Sequence, residues 1–248
     1  MIQKTEAILL RKQDLRETSL FLSFYTKSSG KIYGVMKGIR GQKGQYSTAP
    51  QLFSLNEIVF YERKNKDVFT ISQCELRKFF AEIRESLEKT SHAMYFVELV
   101  NFIAPIGEKN ERLYDLLEKS LGFLCGQASA KRIARIFEIK LLDILGLMPH
   151  LQNCIVCGSF ADNKIRFSLK NGGVICGECA IKEKEGVPIS SGTINFIEHI
   201  NRSSWDMVLR IKVSQDVGHQ LENLLRSFIA FHLQLKPKTL EFMKKVLI

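Results

Sequence analysis

Four cysteines constrain this chain more than any other feature: Cys154-x-x-Cys157 and Cys176-x-x-Cys179, with eighteen residues between the pairs. Two pairs at this spacing turn four thiolates toward one point and complete a tetrahedron around Zn2+. Free buried thiols or the disulfides of a secreted protein are the alternatives, but four of six cysteines rarely fall at metal-ligand spacing by chance. Gly158 and Gly177 directly follow Cys157 and Cys176. Their place predicts tight knuckles in which both glycines take positive φ. His150 is near enough in sequence to replace a thiolate, although four cysteines already fill the shell. Four thiolates leave no open coordination position, so the metal is expected to hold structure rather than to catalyse.

Upstream of this segment the pattern is one of strands. Short β-rich runs at 5–10, 19–25, 31–37, 51–62 and 68–76, each ended by turn residues, predict a small five-stranded β-barrel. The glycine-rich basic stretch 38–47 has no periodicity and reads as a loop. From residue 78 the apolar spacing becomes helical, with helices expected at 78–104, 110–125 and 129–145. Beyond the cysteines come a helix at 193–200, a segment at 205–213, a helix at 214–235 and a short basic helix after Pro237. Val217, Leu221, Leu224, Phe228, Phe231 and Leu235 form one seam along the 214–235 helix, read as internal core packing. The fold class is α+β: a barrel domain over 1–78, then a helical domain over 79–248 with a metal module inserted at about 150–187.

A formal net charge of +10 points to a polyanionic partner, and the first 50 residues hold nine Lys or Arg against three acids. Tyr25, Tyr33 and Tyr46 are interleaved there with Lys27, Lys31, Lys37, Arg40 and Lys43. These are the ingredients of a groove in which bases stack on rings and phosphates meet cations, although each tyrosine fits the barrel core or rim equally well. Lys131, Arg132 and Arg135 share a face of the 129–145 helix. That face suits either a carboxylate-rich peptide or bulk solvent. The glycine loop lacks the Gly-Lys-Ser/Thr ending of a P-loop, and the five histidines form no HExxH pair. No acid/base pair stands out, and an enzyme is not expected. Cys74 and Cys125 lie in apolar contexts and are expected to be inert. No apolar run is long enough to span a bilayer, and the first residues lack signal-peptide form. Paired CxxC knuckles without a secretion signal point to a reducing cytosol.

Several stretches carry a resemblance. They are the opening AILLRKQDLRETSLFLSFYTKSSGKIYGVMKGIRGQKGQY with Glu17-Thr18-Ser19 inside it, Lys37-Gly38 before the basic loop, Leu145-Gly146-Leu147-Met148-Pro149, and FSLKNGGVICGECA at 167–180. In this order they are similar to the RecO family of bacterial recombination mediators, along nearly the whole chain. The resemblance implies an N-terminal OB-fold, then an α-helical domain carrying a four-cysteine zinc-finger module. It implies binding of single- and double-stranded DNA, annealing of complementary strands, and loading of RecA, together with RecR, onto DNA coated by single-strand-binding protein. Docking of that protein's acidic C-terminal tail on the helical domain is implied as well. By position, Lys31, Lys37, Arg40 and Lys43 become DNA-contact candidates, with Tyr33 and Tyr46 as stacking candidates. Cys154, Cys157, Cys176 and Cys179 become zinc ligands. For the acidic tail, Lys131, Arg132 and Arg135 are a candidate set on physical grounds. The implied location is the bacterial cytoplasm, at the nucleoid, with no membrane partner. An RNA-binding, translation- or ribosome-associated module is the competing reading of a basic barrel plus zinc.

Overall fold

The computed structural model describes every residue except Arg16, residues 40–49, 63–66 and 160–164, Glu185 and Ile248. Five strands, β1 (Ile2–Leu15), β2 (Ser19–Thr26), β3 (Gly30–Met36), β4 (Leu55–Tyr61) and β5 (Val68–Lys78), close into a barrel in the order β1-β2-β3-β5-β4. Closure depends on β1 serving two neighbours. Ile2–Ile8 pairs antiparallel with β4, and Ala7–Leu15 pairs antiparallel with β2. A register shift between Leu9 and Arg11 lets the strand turn from one partner to the other, since a bulge adds bend and twist. β3 runs parallel to β5, with Gly34 opposite Phe69. A Cβ at Gly34 would lie 2.5 Å from Ile71 Cδ1, so only glycine admits that side chain to the core.

Strand alternation builds this core directly. Leu20, Leu22 and Phe24 of β2, Ile32 and Met36 of β3, and Ile58 and Phe60 of β4 all point inward with Ala7, Leu9 and Ile71. Burying each large side chain stabilises the barrel by about 1.5–3 kcal/mol relative to exposure.

The helices follow as α1 (Ala81–Arg84), α2 (Leu87–Ile103), α3 (Glu111–Leu124) and α4 (Ala130–Ile144). Next come β6 (Arg166–Ser168), β7 (Gly173–Ile175), α5 (Gly177–Glu183) and β8 (Val187–Pro188). The chain ends with α6 (Ser191–Arg202), α7 (Trp205–Arg210), α8 (Gln215–His232) and α9 (Lys238–Val246). The helix expected over 78–104 is divided, because Ser86 adopts an extended backbone and its side chain accepts from Lys89 N to start α2 afresh. Asn110, Ser190 and Ser214 cap α3, α6 and α8 in the same way. Along α8 the expected seam holds at Leu221, Leu224 and Phe228, whereas Phe231 is 51% exposed. Leu225 and Ile229 are buried in its stead, so the buried stripe follows the 3.6-residue period rather than a strict seam.

Two compact units result: Met1–Ala130 with Pro237–Ile248, and Lys131–Lys236. They cut the sequence elsewhere than the change from strand to helix near residue 78. In the first unit, helical residues cover part of the barrel's outer face. Ser23 Oγ lies 2.9 Å from Asn101 Oδ1, and Gly107 N donates to the Lys31 carbonyl at 2.9 Å. Tyr25 stacks on Tyr114 at 6.4 Å between centroids. Gly30, at φ 63, is fixed by this approach, because a Cβ there would sit 1.9 Å from the Glu108 carbonyl oxygen. The Glu98 carboxylate of α2 accepts from Lys238 N at 2.9 Å and Thr239 N at 3.0 Å, which joins α9 to this unit.

In the second unit, Ile133, Ala134, Ile136, Phe137, Ile139 and Leu141 are among the buried apolar residues along α4. A three-stranded sheet ordered β7-β6-β8 carries the metal segment, and Phe167 of β6 meets Phe228 of α8 edge to face at 5.7 Å. Among the described residues no helix is long and apolar enough to cross a membrane.

Candidate metal centre and nucleic-acid interface

The four cysteines converge. Their sulfur atoms all lie within 4.8 Å of one another, and Cys157 Sγ is 3.8 Å from Cys176 Sγ. A tetrahedron with metal–sulfur arms of ~2.3 Å has edges of ~3.8 Å, so the set fits one metal ion. Cys154, Cys176 and Cys179 are buried and Cys157 is exposed. The first knuckle is a turn in which Gly158 N donates to the Cys154 carbonyl at 2.8 Å, with Gly158 at φ 74 as expected. The second knuckle corrects the expectation for Gly177. Cys176 is extended, and the chain passes at once into α5, so Gly177 is helical and needs no positive φ. Cys176 thereby stands at the N-cap of α5, and Cys179 lies in its first turn.

A hydrogen bond from the Ser159 hydroxyl, at 3.0 Å, is the first cause holding the Cys157 thiol down to about 6. Hydrogen bonding with Cys176 is the first cause pushing Cys179 up to about 12. Four adjacent thiols cannot all ionise without a cation among them. His150 stays out of the set: its ring is hydrogen-bonded to Asn153 Oδ1, and its backbone bridges Gly173, the first residue of β7. Cys74 and Cys125 are unbridged, and burial pushes their thiols up to about 12 and about 11.

On the barrel the sequence candidates separate. Lys31 is only 6% exposed, and its Nζ donates to the Asn101 carbonyl at 2.8 Å. Burial lowers its pKa. It is corrected from a surface cation to a strut between β3 and the end of α2, because the 101–109 segment folds over that stretch of β3. Tyr25 is also enclosed, and its hydroxyl donates to the Asn110 carbonyl at 3.3 Å. Tyr33 is half-buried and stacks on Phe21 at 5.6 Å with an interplanar angle of 28°. Lys37 is exposed at the end of β3, next to Gly38 at φ 73. Arg40, Lys43 and Tyr46 lie outside the described residues.

Phe21 escaped the sequence reading. The alternation that sends Leu20, Leu22 and Phe24 inward sends Phe21 outward, and an aromatic ring on the solvent side of a strand is itself a signal. Register sets Gln13 of β1 opposite Phe21, and Ser23 opposite both Arg11 and Tyr33. The outer face therefore carries a ring pair flanked by polar and basic residues.

The basic face expected on α4 does not form. Lys131 is exposed, and Arg132 is half-buried with Nη1 donating to the Leu209 carbonyl at 3.0 Å. Arg135 is 5% exposed and forms a two-point ion pair with Glu138, both contacts at 3.0 Å. A guanidinium with a buried carboxylate one turn away goes inward with it.

Residues 1–80 match the family model Recombination protein O N terminal, and residues 84–241 match Recombination protein O C terminal. A DNA repair protein RecO of Desulforamulus reducens is 35% identical over 246 residues, covering 99% of this chain and 95% of that protein. One of Alkaliphilus metalliredigens is 32% identical over 248 residues, covering 99% and 100%. The chain belongs to the RecO family. For this RecO-family chain, the first model spans the closed barrel with its Phe21–Tyr33 pair, and the second spans all four cysteines.

Proposed function

We propose that this RecO-family chain is a DNA-binding mediator of recombinational repair. In this reading it anneals complementary strands and, with RecR, helps to load RecA onto single-stranded DNA coated by single-strand-binding protein. The observation that carries it is the stacked Phe21–Tyr33 pair on the outer face of a closed five-stranded barrel. A solvent-side ring pair is what a single strand uses as a stacking platform, and a cationic rim such as Lys37 meets its phosphates. The barrel, over 1–78, is the nucleic-acid-binding domain, with Arg40, Lys43 and Tyr46 extending its surface. The helical domain, over 79–248, carries the metal module at 150–187 and receives the acidic tail of the single-strand-binding protein. Lys131 and Arg132 are the candidates for that tail, now that Arg135 faces Glu138.

The metal is Zn2+, held by Cys154, Cys157, Cys176 and Cys179. A four-thiolate shell supports a structural role, so no catalytic step is assigned to it. The protein acts by binding and positioning rather than by making or breaking covalent bonds. Its site of action is the cytoplasm, at the nucleoid.

The test is annealing of complementary strands coated with single-strand-binding protein, with and without RecR. Faster annealing than the coated strands alone is expected, with RecA loading appearing when RecR is present. A preference for structured RNA, with no annealing, would replace this reading with an RNA-binding role.

A further inference from the structure

A second feature of the barrel unit is a cleft of about 750 Å3 between the end of β1, the turn before β4 and the outer side of α2. Lys12, Asp14, Phe53, Arg84, Thr90 and Met94 are among its lining residues. It is of nucleotide size, within the range usual for small-molecule pockets. Two cations stand against one carboxylate in that lining, so its balance is positive.

Arg84 is the residue that gives the cleft its character. Its guanidinium carbon lies 4.7 Å from the ring centroid of Phe53 and 4.1 Å from that of Phe79. Nη2 donates to the Leu52 carbonyl at 2.9 Å and Nη1 to the Phe79 carbonyl at 3.0 Å. The two rings and the two carbonyls hold the cation in place, and what it can offer a ligand is its N–H edge. A guanidinium carries five N–H donors, so two carbonyls do not exhaust that edge. The group is also held in one orientation, which removes the ordering cost that a flexible cation pays on binding. Phe53 reaches this position with φ 49, and Phe80, beside Phe79, takes φ 53. Non-glycine residues hold left-handed backbone only where their surroundings impose it, and such places cluster at ligand clamps.

A fixed guanidinium edge with a lysine near it suits phosphate oxygens. The half-buried side chain of Met94 in the same cleft offers an unpaired base an apolar contact, whereas the Phe53 ring, only 3% exposed, is taken up against Arg84. We infer that this cleft is a subsite for one nucleotide of single-stranded DNA, its phosphate on Lys12 and Arg84 and its base against Met94. The inference rests on the DNA-binding reading above and adds to it a contact apart from the Phe21–Tyr33 face.

The experiment uses the full chain and a labelled thymidine oligonucleotide, with affinity read by fluorescence anisotropy. Lys12→Glu is compared with Lys119→Glu, which makes the same change of net charge on an exposed lysine of α3. Lys12→Glu is expected to weaken single-strand binding at least about tenfold more than Lys119→Glu, and duplex binding no more than Lys119→Glu does. An iodouracil-substituted oligonucleotide is expected to cross-link to the peptide containing Met94. Equal effects of the two variants on a chain that binds DNA, or cross-links confined to other peptides, would overturn the subsite alone. A wild-type chain that binds no DNA would remove the parent reading and the subsite together.

Discussion

Glu98 caps the helix that begins beside Thr239, 141 residues further along the chain. Its carboxylate accepts two backbone N–H groups and the Thr239 hydroxyl, where α9 has no side-chain cap of its own. A charged acceptor at a helix N-terminus meets both the orphan donors and the positive end of the helix dipole. Glu98→Ala is expected to destabilise the first unit by about 1.5–3 kcal/mol, the value of hydrogen bonds to a charged group. Limited proteolysis should then cut first around α9, and chemical denaturation gives the magnitude. Glu98→Gln, which keeps an acceptor, should recover about half of the loss.

Lys31 and Lys37 stand close together along the chain and are expected to behave oppositely. Lys31→Met removes the donor to the Asn101 carbonyl and should lower the melting temperature while leaving the salt dependence of DNA binding unchanged. Lys37→Ala should leave the melting temperature unchanged and reduce the salt slope by about one. A titration of affinity against salt concentration, paired with a thermal melt, separates the two.

Phe21 and Tyr33 act as one platform if bases stack there. Tyr33→Ala and Phe21→Ala are each expected to weaken single-strand binding by about 1–3 kcal/mol, with the double variant losing less than the sum. Equal loss on duplex DNA would point to damage to the barrel instead, and circular dichroism of the variants checks that.

Arg135→Ala takes the cation away from a carboxylate that is fully buried. The cost is expected to be about 3–5 kcal/mol, against about 1 or less for Lys131→Ala on the surface. Urea denaturation of the two variants measures both. A larger effect of Lys131→Ala would show that the helix face is oriented the other way.

Cys176→Ser should abolish binding of one zinc per chain, measured by metal analysis of the purified protein. Structural zinc contributes ~10–16 kcal/mol in isolated finger peptides, so the second unit should lose its cooperative melting. DNA binding by the barrel should persist, because the ring pair and the cysteines belong to different units.

What can be read from the residues is what short-range patterns encode. Alternation along β2 and β3 identifies the barrel, and the two CxxC pairs identify the metal set, because both depend on spacing within a few residues. Burial imposed by distant chain is not legible. Lys31 looks like a surface lysine until the segment around Asn101 and Ile106 folds over it. Arg135 looks like part of a basic face because helical periodicity reports direction and not what waits on each side; Glu138 decides it. Gly177 is ambiguous because a glycine after a cysteine suits a turn and a helix start alike. The Arg84 clamp is invisible for a further reason: it joins Phe53 and Phe79 through backbone conformations that no local pattern announces.

The cap from Glu98 to α9 also sets an order on biosynthesis. α2 leaves the ribosome long before its partner, and the whole of Lys131–Lys236 must be translated in between. At ~5–20 residues per second that interval is on the order of ten seconds. Throughout it the newborn barrel unit presents a helix surface whose complement does not yet exist. A nascent chain in that state is the form most open to chaperones and proteases, and its vulnerability ends only when Lys238 and Thr239 arrive to take up the carboxylate.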